Sequence, residues 1–326
     1  LEDSDISKVG LPKIRLNPAV GIVEIASGCM SECTFCQTKI SKGDLQSYRI
    51  GDIVRQVKTE LSDGCCEIWL TSTDNGCYGF DINSDLPELV NTVSQIPEKF
   101  FMRVGMMNPM YMPRIREELL KSFESSKVFK FLHVPVQSGS NKMLKAMNRQ
   151  HTREEYKELV DHIFRIIPEM SLSQDMIVGF CGETEEDHKD TLDLMNYVKY
   201  DFGFMFAYSE RPGTLAAKKM PDDVPHHTKK RRLQEIIDLQ QAHSLFRTQQ
   251  HLGKVEEVLI EGTSKKDPNQ WKGRNTQNTV IVFPKEQYQM GDFVNVKVED
   301  CTSATLKVLQ LVIRTIIKLI WKTYKQ

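Results

Sequence analysis

Cys29, Cys33 and Cys36 sit together in the stretch Ser27-Gly28-Cys29-Met30-Ser31-Glu32-Cys33-Thr34-Phe35-Cys36. The spacing is Cys-x-x-x-Cys-x-x-Cys, directly after an apolar run from Val20 to Ile25. A loop this short can bring three thiolates together as metal ligands. Three is one fewer than a closed tetrahedral zinc site uses, and no His lies within the loop. A [4Fe–4S] cluster on three cysteines leaves one iron free of protein, where a small-molecule cofactor can coordinate. A structural zinc knuckle that borrows a distant fourth ligand is the plainer alternative.

The elements that must position this loop alternate between strand and helix. Apolar, β-branched or aromatic runs at 20–26, 67–71, 101–106, 130–136, 172–180 and 202–208 predict six strands. Helical signals separate them: Ile53, Val54, Val57 and Leu61 on one face, Pro87 in a first turn, and capping boxes at Thr152–Glu155 and Thr184–Asp187. The expected fold is α/β, a parallel sheet curled into a partial (β/α)6 TIM-like barrel with right-handed crossovers. Chemistry in such barrels sits at the C-terminal strand ends. The distinctive segments fall there: 29–36, 72–76, Asn108-Pro109, 137–140, 179–184 and 209–214. Their Gly, Ser and Asn residues suit close backbone approach to a polar or anionic ligand.

With 326 residues, 27% of them charged and 40% hydrophobic, the chain reads as a soluble protein of two domains. A formal net charge of −1 leaves no global field to recruit nucleic acid, so RNA contact must come from local patches. Eight cysteines without a preceding signal peptide point to reduced thiols, no disulfide and a cytoplasmic location. The chain opens on Leu1 rather than Met, which suggests a fragment, and 1–19 reads as a linker from an upstream domain.

The loop at 29–36 resembles the cluster motif of radical S-adenosylmethionine (SAM) enzymes. The runs 134–140, 179–184 and 208–214 resemble the methylthiotransferase branch of that superfamily, and the likeness extends from about Pro12 to Lys307. Members attach a methylthio group to carbon 2 of a modified adenosine beside the tRNA anticodon, or to an aspartate of a ribosomal protein. The resemblance implies a cluster on Cys29, Cys33 and Cys36, whose open iron chelates SAM and whose electron cleaves it. It further implies SAM contacts at Asn75, Gln137, Ser138, Gly179 and Glu183. A second [4Fe–4S] cluster, the sulfur source, is expected on an N-terminal domain absent from this sequence, together with an electron donor.

The likeness is mosaic. Segments 28–39, 67–72 and 103–109 resemble the threonylcarbamoyladenosine branch, whereas 208–214 and 292–294 resemble the isopentenyladenosine branch. The rim segments lie nearest the radical source, so N6-threonylcarbamoyladenosine at tRNA position 37 is the expected substrate, and isopentenyladenosine the alternative. A carboxylate-bearing substituent wants a cation, for which Arg103, Lys39 and Arg211 are candidates; a prenyl group wants an apolar wall, which Met106, Met107 and Met110 could supply. Cys181 stands where the family usually has Pro.

The region 20–250 is thus the expected radical SAM core, closed by a long helix at 226–250 whose basic run 229–232 reads as a solvated face. Short strands at 255–260, 280–283 and 293–298 predict a small all-β module over 251–306, similar to the OB-like TRAM domain that binds RNA. Lys265, Lys266, Trp271, Lys272 and Arg274 are its candidate RNA contacts, with tRNA the partner. The tail, 307–326, reads as a basic amphipathic segment that could lie on a membrane or partner but is too charged to span a bilayer. A monomer is expected. A non-catalytic, metal-stabilised RNA-binding protein is the competing reading.

Overall fold

The apolar runs and capped amphipathic segments build a strand–helix alternation in the computed structural model, which describes residues 9–308 except Pro12. In order these are β1 (Val20–Glu24), α1 (Ile50–Ser62), β2 (Glu67–Thr71), α2 (Leu86–Ser94), β3 (Phe101–Val104), α3 (Met112–Ser122), β4 (Phe131–His133), α4 (Asn141–Ala146), α5 (Arg153–Ile166), β5 (Ser171–Val178), α6 (Glu185–Val198) and β6 (Phe202–Ala207). Both expected capping boxes form, Thr152 with Glu155 on α5 and Thr184 with Asp187 on α6.

The strands pair in parallel as two triplets, β1–β2–β3 and β4–β5–β6. A bridge from Met102 to Val128 and a bond from the Met107 N–H to the His133 carbonyl (2.9 Å) join the triplets. Among the described residues no ladder joins β6 to β1, so the six-stranded barrel is open on that side. Alternation divides each strand between two surfaces. Val23, Ile68, Leu70, Met102 and Val104 enter the core shared with the helices, each such side chain contributing about 2 kcal/mol by burial. Ile22, Trp69 and Arg103 form one row on the concave face, because the register aligns them.

After β6 the chain runs through α7 (His226–Gln249) into a six-stranded sheet: β7 (Val255–Thr263), β8 (Gln270–Asn275), β9 (Val280–Pro284), β10 (Phe293–Lys297), β11 (Asp300–Cys301) and β12 (Leu306–Lys307). The expected barrel followed by a small β module is therefore the observed architecture. The polar strand β8 is an addition to the sequence reading. Its Gln-Trp-Lys-Gly-Arg-Asn run lacks an apolar signature, yet it pairs with β7 and β9.

The module packs under the barrel, at the end of the strands opposite the cysteine loop. Phe293 meets Phe101 edge-on at 5.0 Å, Leu259 joins Phe101, Phe129 and Phe131, and the Lys130 N–H donates to the Thr276 carbonyl (2.7 Å).

One reading needs correction. The basic run on α7 is not a uniformly solvated face. Lys229 is buried and paired with Asp222, and Arg232 is buried between Glu183 and Glu185. The described part of the expected linker is anchored too, since Lys13 and Arg15 pair with the buried Glu60. Of the tail, 309–326 lies outside the described residues. No described helix is long and apolar enough to cross a membrane.

Candidate active site

The cysteine loop leaves β1 through a two-strand clip in which Ala26 and Ser27 pair with Ser47 and Gln46. Gly28 makes the turn possible, since only glycine takes such a backbone readily. Its φ is +69°, and a Cβ there would lie 1.7 Å from the Asp44 carbonyl oxygen. Lys39 then ties the loop to itself, donating to the Cys29 carbonyl (2.6 Å) and to Asp44 (2.5 Å).

Helical segments that follow β4 and β6 hold the loop from outside. The Thr34 N–H and hydroxyl donate to the carbonyls of Met147 and Ala146, Asn148 donates to the Glu32 carbonyl, and the Ala216 N–H donates to the Thr34 carbonyl. Arg149 reaches the sulfur itself. Its Nη1 lies 3.4 Å from Cys33 Sγ, while Nη2 donates to the Pro135 carbonyl at 2.6 Å. Ser31 belongs to a second network, in which Asn108 donates to its hydroxyl (3.0 Å), Tyr111 lies 3.1 Å away, and Asp74 accepts from the Asn108 and Gly76 N–H groups.

All eight cysteines are free. The Cys77 thiol hydrogen-bonds Cys29 and lowers its pKa, and the Ser31 N–H adds a bond to the same sulfur (3.3 Å). Burial raises Cys33, opposed by Arg149, and Cys33 senses the charge of both Cys29 and Cys36. Among the described residues no three His, Cys, Asp or Glu groups converge tightly enough for a single metal ion. A cubane cluster instead binds each cysteine at a different corner, so three separated sulfurs, two of them with N–H donors, suit it better than zinc.

The residues expected around SAM divide by accessibility of their polar groups. Gln137 holds φ at +77°, its backbone bridging to Asp175 and Ile177, and its side chain makes no hydrogen bond among the described residues. A left-handed, non-glycine residue at a strand end is a strained placement of the kind found at ligand sites. Gly179 also has positive φ, and a Cβ there would meet Lys229 at 2.4 Å. The others are engaged internally: Asn75 donates to the Leu70 carbonyl, and Ser138 faces Thr191. Glu183 accepts from the Gly179 N–H and Arg232, although burial raises its pKa.

The module's candidate contacts divide likewise. Lys265 and Lys266 are exposed. Lys272 and Arg274 pair with the buried Glu261, and Trp271 packs on the module core beneath Lys285. Sequence reasoning missed Arg149, Ser31, Tyr111 and Cys77. Ser31 lies within the loop but its type gave no signal, and the other three carry no spacing signal because the fold alone brings them to the loop.

Residues 23–195 match the radical SAM superfamily model and residues 249–307 the TRAM domain model. Curated relatives include a tRNA-2-methylthio-N(6)-dimethylallyladenosine synthase of Christiangramia forsetii, 45% identical over 93% of this chain and 65% of that protein. The corresponding synthase of Karelsulcia muelleri is 41% identical over 91% of this chain and 68% of that protein. The threonylcarbamoyladenosine tRNA methylthiotransferase of Danio rerio is 37% identical over 92% of this chain and 54% of that protein. The chain thus spans about 65% of the length of the first of these. Among solved structures, coproporphyrinogen III oxidase of Escherichia coli superposes with a TM-score of 0.50 over 79% of this chain and 67% of that one, at 15% identity. A radical S-adenosylmethionine methyltransferase of Kitasatospora setae gives 0.51 over 65% and 41%, at 16% identity. At such identities the likeness is one of fold.

Proposed function

The chain belongs to the radical SAM superfamily and, within it, to the tRNA methylthiotransferase family, and from that premise we propose that it adds a methylthio group to carbon 2 of N6-threonylcarbamoyladenosine beside the tRNA anticodon. The observation that carries the catalytic part is the loop itself: three free cysteines beyond the C-terminal end of β1, with Arg149 on Cys33 and the Ser31 N–H on Cys29. Bound there, a [4Fe–4S] cluster would supply the electron that cleaves SAM, and SAM the deoxyadenosyl group that takes hydrogen from the base.

The protein's own part is placement. Gly28 and Lys39 set the loop, Arg149 sets one sulfur, and the strand-end backbone around Gln137 and Gly179 frames the space beside it. The open side between β6 and β1 gives an unstacked base a way in. The exposed Lys265 and Lys266 of the module would hold tRNA backbone, with electrons drawn from an external donor in a reducing, cytoplasmic setting. Sulfur insertion needs a second sulfur-bearing group, for which we look to the second cluster that the family resemblance implies.

Rim segments support the threonylcarbamoyl substrate. Of the three methionines that could line a prenyl pocket, Met107 is fully buried in the helix-side core. The higher identity to dimethylallyladenosine synthases favours the second reading, the same transfer to N6-isopentenyladenosine. The chain joined to the N-terminal portion of a family member, expressed in cells lacking their own enzyme, should place the methylthio group on threonylcarbamoyladenosine by mass spectrometry of tRNA nucleosides. Its appearance only on isopentenyladenosine overturns the substrate assignment.

A further inference from the structure

Arg103 is held in the concave face of the barrel with its charge unanswered. Its guanidinium carbon lies 4.9 Å from the Trp69 ring and 5.1 Å from the Phe131 ring, so two aromatic faces fix its plane. Among the described residues its side chain makes no hydrogen bond and no ion pair. Glu67 and Glu261 act on it only at longer range, while burial and Arg274 oppose its charge. A half-buried guanidinium with five donors and no acceptor is an unfilled binding group, because desolvating it unpaired is costly.

Its position fits the reaction. Arg103 shares a row with Trp69 and Ile22, two residues below Thr71 and Glu24, the last paired row of β1 and β2, beyond which the Ala26–Ser27 clip leads to the cysteine loop. Two strand residues rise about 7 Å. Ring carbons 2 and 6 of adenine are separated by one ring atom, so a base with carbon 2 at the rim directs its N6 substituent away from the rim, into the barrel. The carboxylate of a threonylcarbamoyl group lies four bonds beyond N6, within reach of the next row. The approach is lined by π and apolar surface: Phe131 stacks on Phe202 at 5.3 Å, and Ile22, Phe204 and Phe206 are about half exposed on the open side (49%, 52% and 52%). The other candidate cations are placed elsewhere. Lys39 is bound to the Cys29 carbonyl and Asp44, and Arg211 is exposed on the loop after β6.

The geometry points to Arg103 as the specificity-determining residue that binds the carboxylate of the N6 substituent, bidentately, between Trp69 and Phe131. This rests on the methylthiotransferase reading above and names the group by which its substrate is chosen.

The test needs binding, not turnover. Equilibrium dialysis of the reconstituted full chain should be run with three probes: free N6-threonylcarbamoyladenosine, its carboxylate methyl ester, and N6-dimethylallyladenosine. The free acid should bind at least tenfold more tightly than the ester, and Arg103→Gln should abolish that preference while Arg103→Lys retains part of it. The acid–ester comparison on the unaltered protein stands even where a variant folds poorly. Equal binding of acid and ester, tighter binding of the dimethylallyl nucleoside, or binding of none overturns the assignment. SAM cleavage by the same unaltered preparation separates this failure from failure of the enzymatic reading itself.

Discussion

Arg149 bridges Cys33 Sγ, at 3.4 Å, and the Pro135 carbonyl, at 2.6 Å, so the segment just after β4 is wired directly to a sulfur of the cysteine loop. A cation on a ligand sulfur favours the more negative, reduced cluster and so raises its reduction potential. Arg149→Met should lower the midpoint potential of the reconstituted protein and slow SAM cleavage about tenfold, equivalent to about 1.4 kcal/mol. Arg149→Lys should fall between. Redox titration followed by electron paramagnetic resonance measures this, and an unmoved midpoint assigns Arg149 to packing alone.

Gly28 is the backbone condition for the loop. With φ at +69° and the Asp44 carbonyl 1.7 Å from where a Cβ would sit, Gly28→Ala forces either the turn or the clip to open. We expect a loss of about 3 kcal/mol in apo-protein stability and iron binding well below that of the unaltered chain after reconstitution. Thermal melts and iron analysis check both, and wild-type iron content in Gly28→Ala contradicts this view of the loop.

Much of the fold could be read from the sequence because its signals are local. Glu67–Thr71 carries its own apolar run, Ile68-Trp69-Leu70, and the Thr152 and Thr184 capping boxes depend only on residues three positions apart. What escaped is non-local. Arg149 lies far along the chain from Cys33, in a stretch with no motif of its own. The basic run at 229–232 looks solvated in sequence, and only the packing of α7 shows that Lys229 is itself buried while paired with Asp222, and that Arg232 meets the buried Glu183 of the loop after β5. β8 escaped because a polar strand paired on both sides needs no apolar alternation of its own.

Glu67 makes the contact between barrel and module sensitive to pH. Burial first, with Glu261 nearby, raises its carboxyl to about 7, and one of its oxygens is buried without a partner. A carboxyl raised above its unfolded value of 4.5 contributes most below that value, and the contribution is lost as pH rises through the folded value. Glu67→Gln should therefore unfold later than the unaltered chain at pH 8, by about 3 kcal/mol, with the gap closing toward pH 4.5. Denaturant melts at the two values test this; a gap independent of pH contradicts it.

RNA affinity should depend on two of the module's four candidate cations. Lys265 and Lys266 are free to meet phosphate, whereas Lys272 and Arg274 are paired with Glu261. Replacing Lys265 and Lys266 by Ala should flatten the slope of log affinity against log salt by about 1.4, roughly 0.7 per phosphate contact. Lys272→Ala should leave the slope near its original value. Filter binding of an anticodon stem-loop across salt concentrations decides it, and the reverse pattern moves the contact to the paired face.

The central claim is that Cys29, Cys33 and Cys36 hold a SAM-cleaving cluster, and the most direct measurement is 5′-deoxyadenosine release after anaerobic iron–sulfide reconstitution and chemical reduction. The unaltered chain should release it with SAM alone, and Cys33→Ala should lose both iron and release, while Cys301→Ala, remote in the β module, keeps both. Undiminished release by Cys33→Ala, or none from an iron-loaded unaltered chain, contradicts the account.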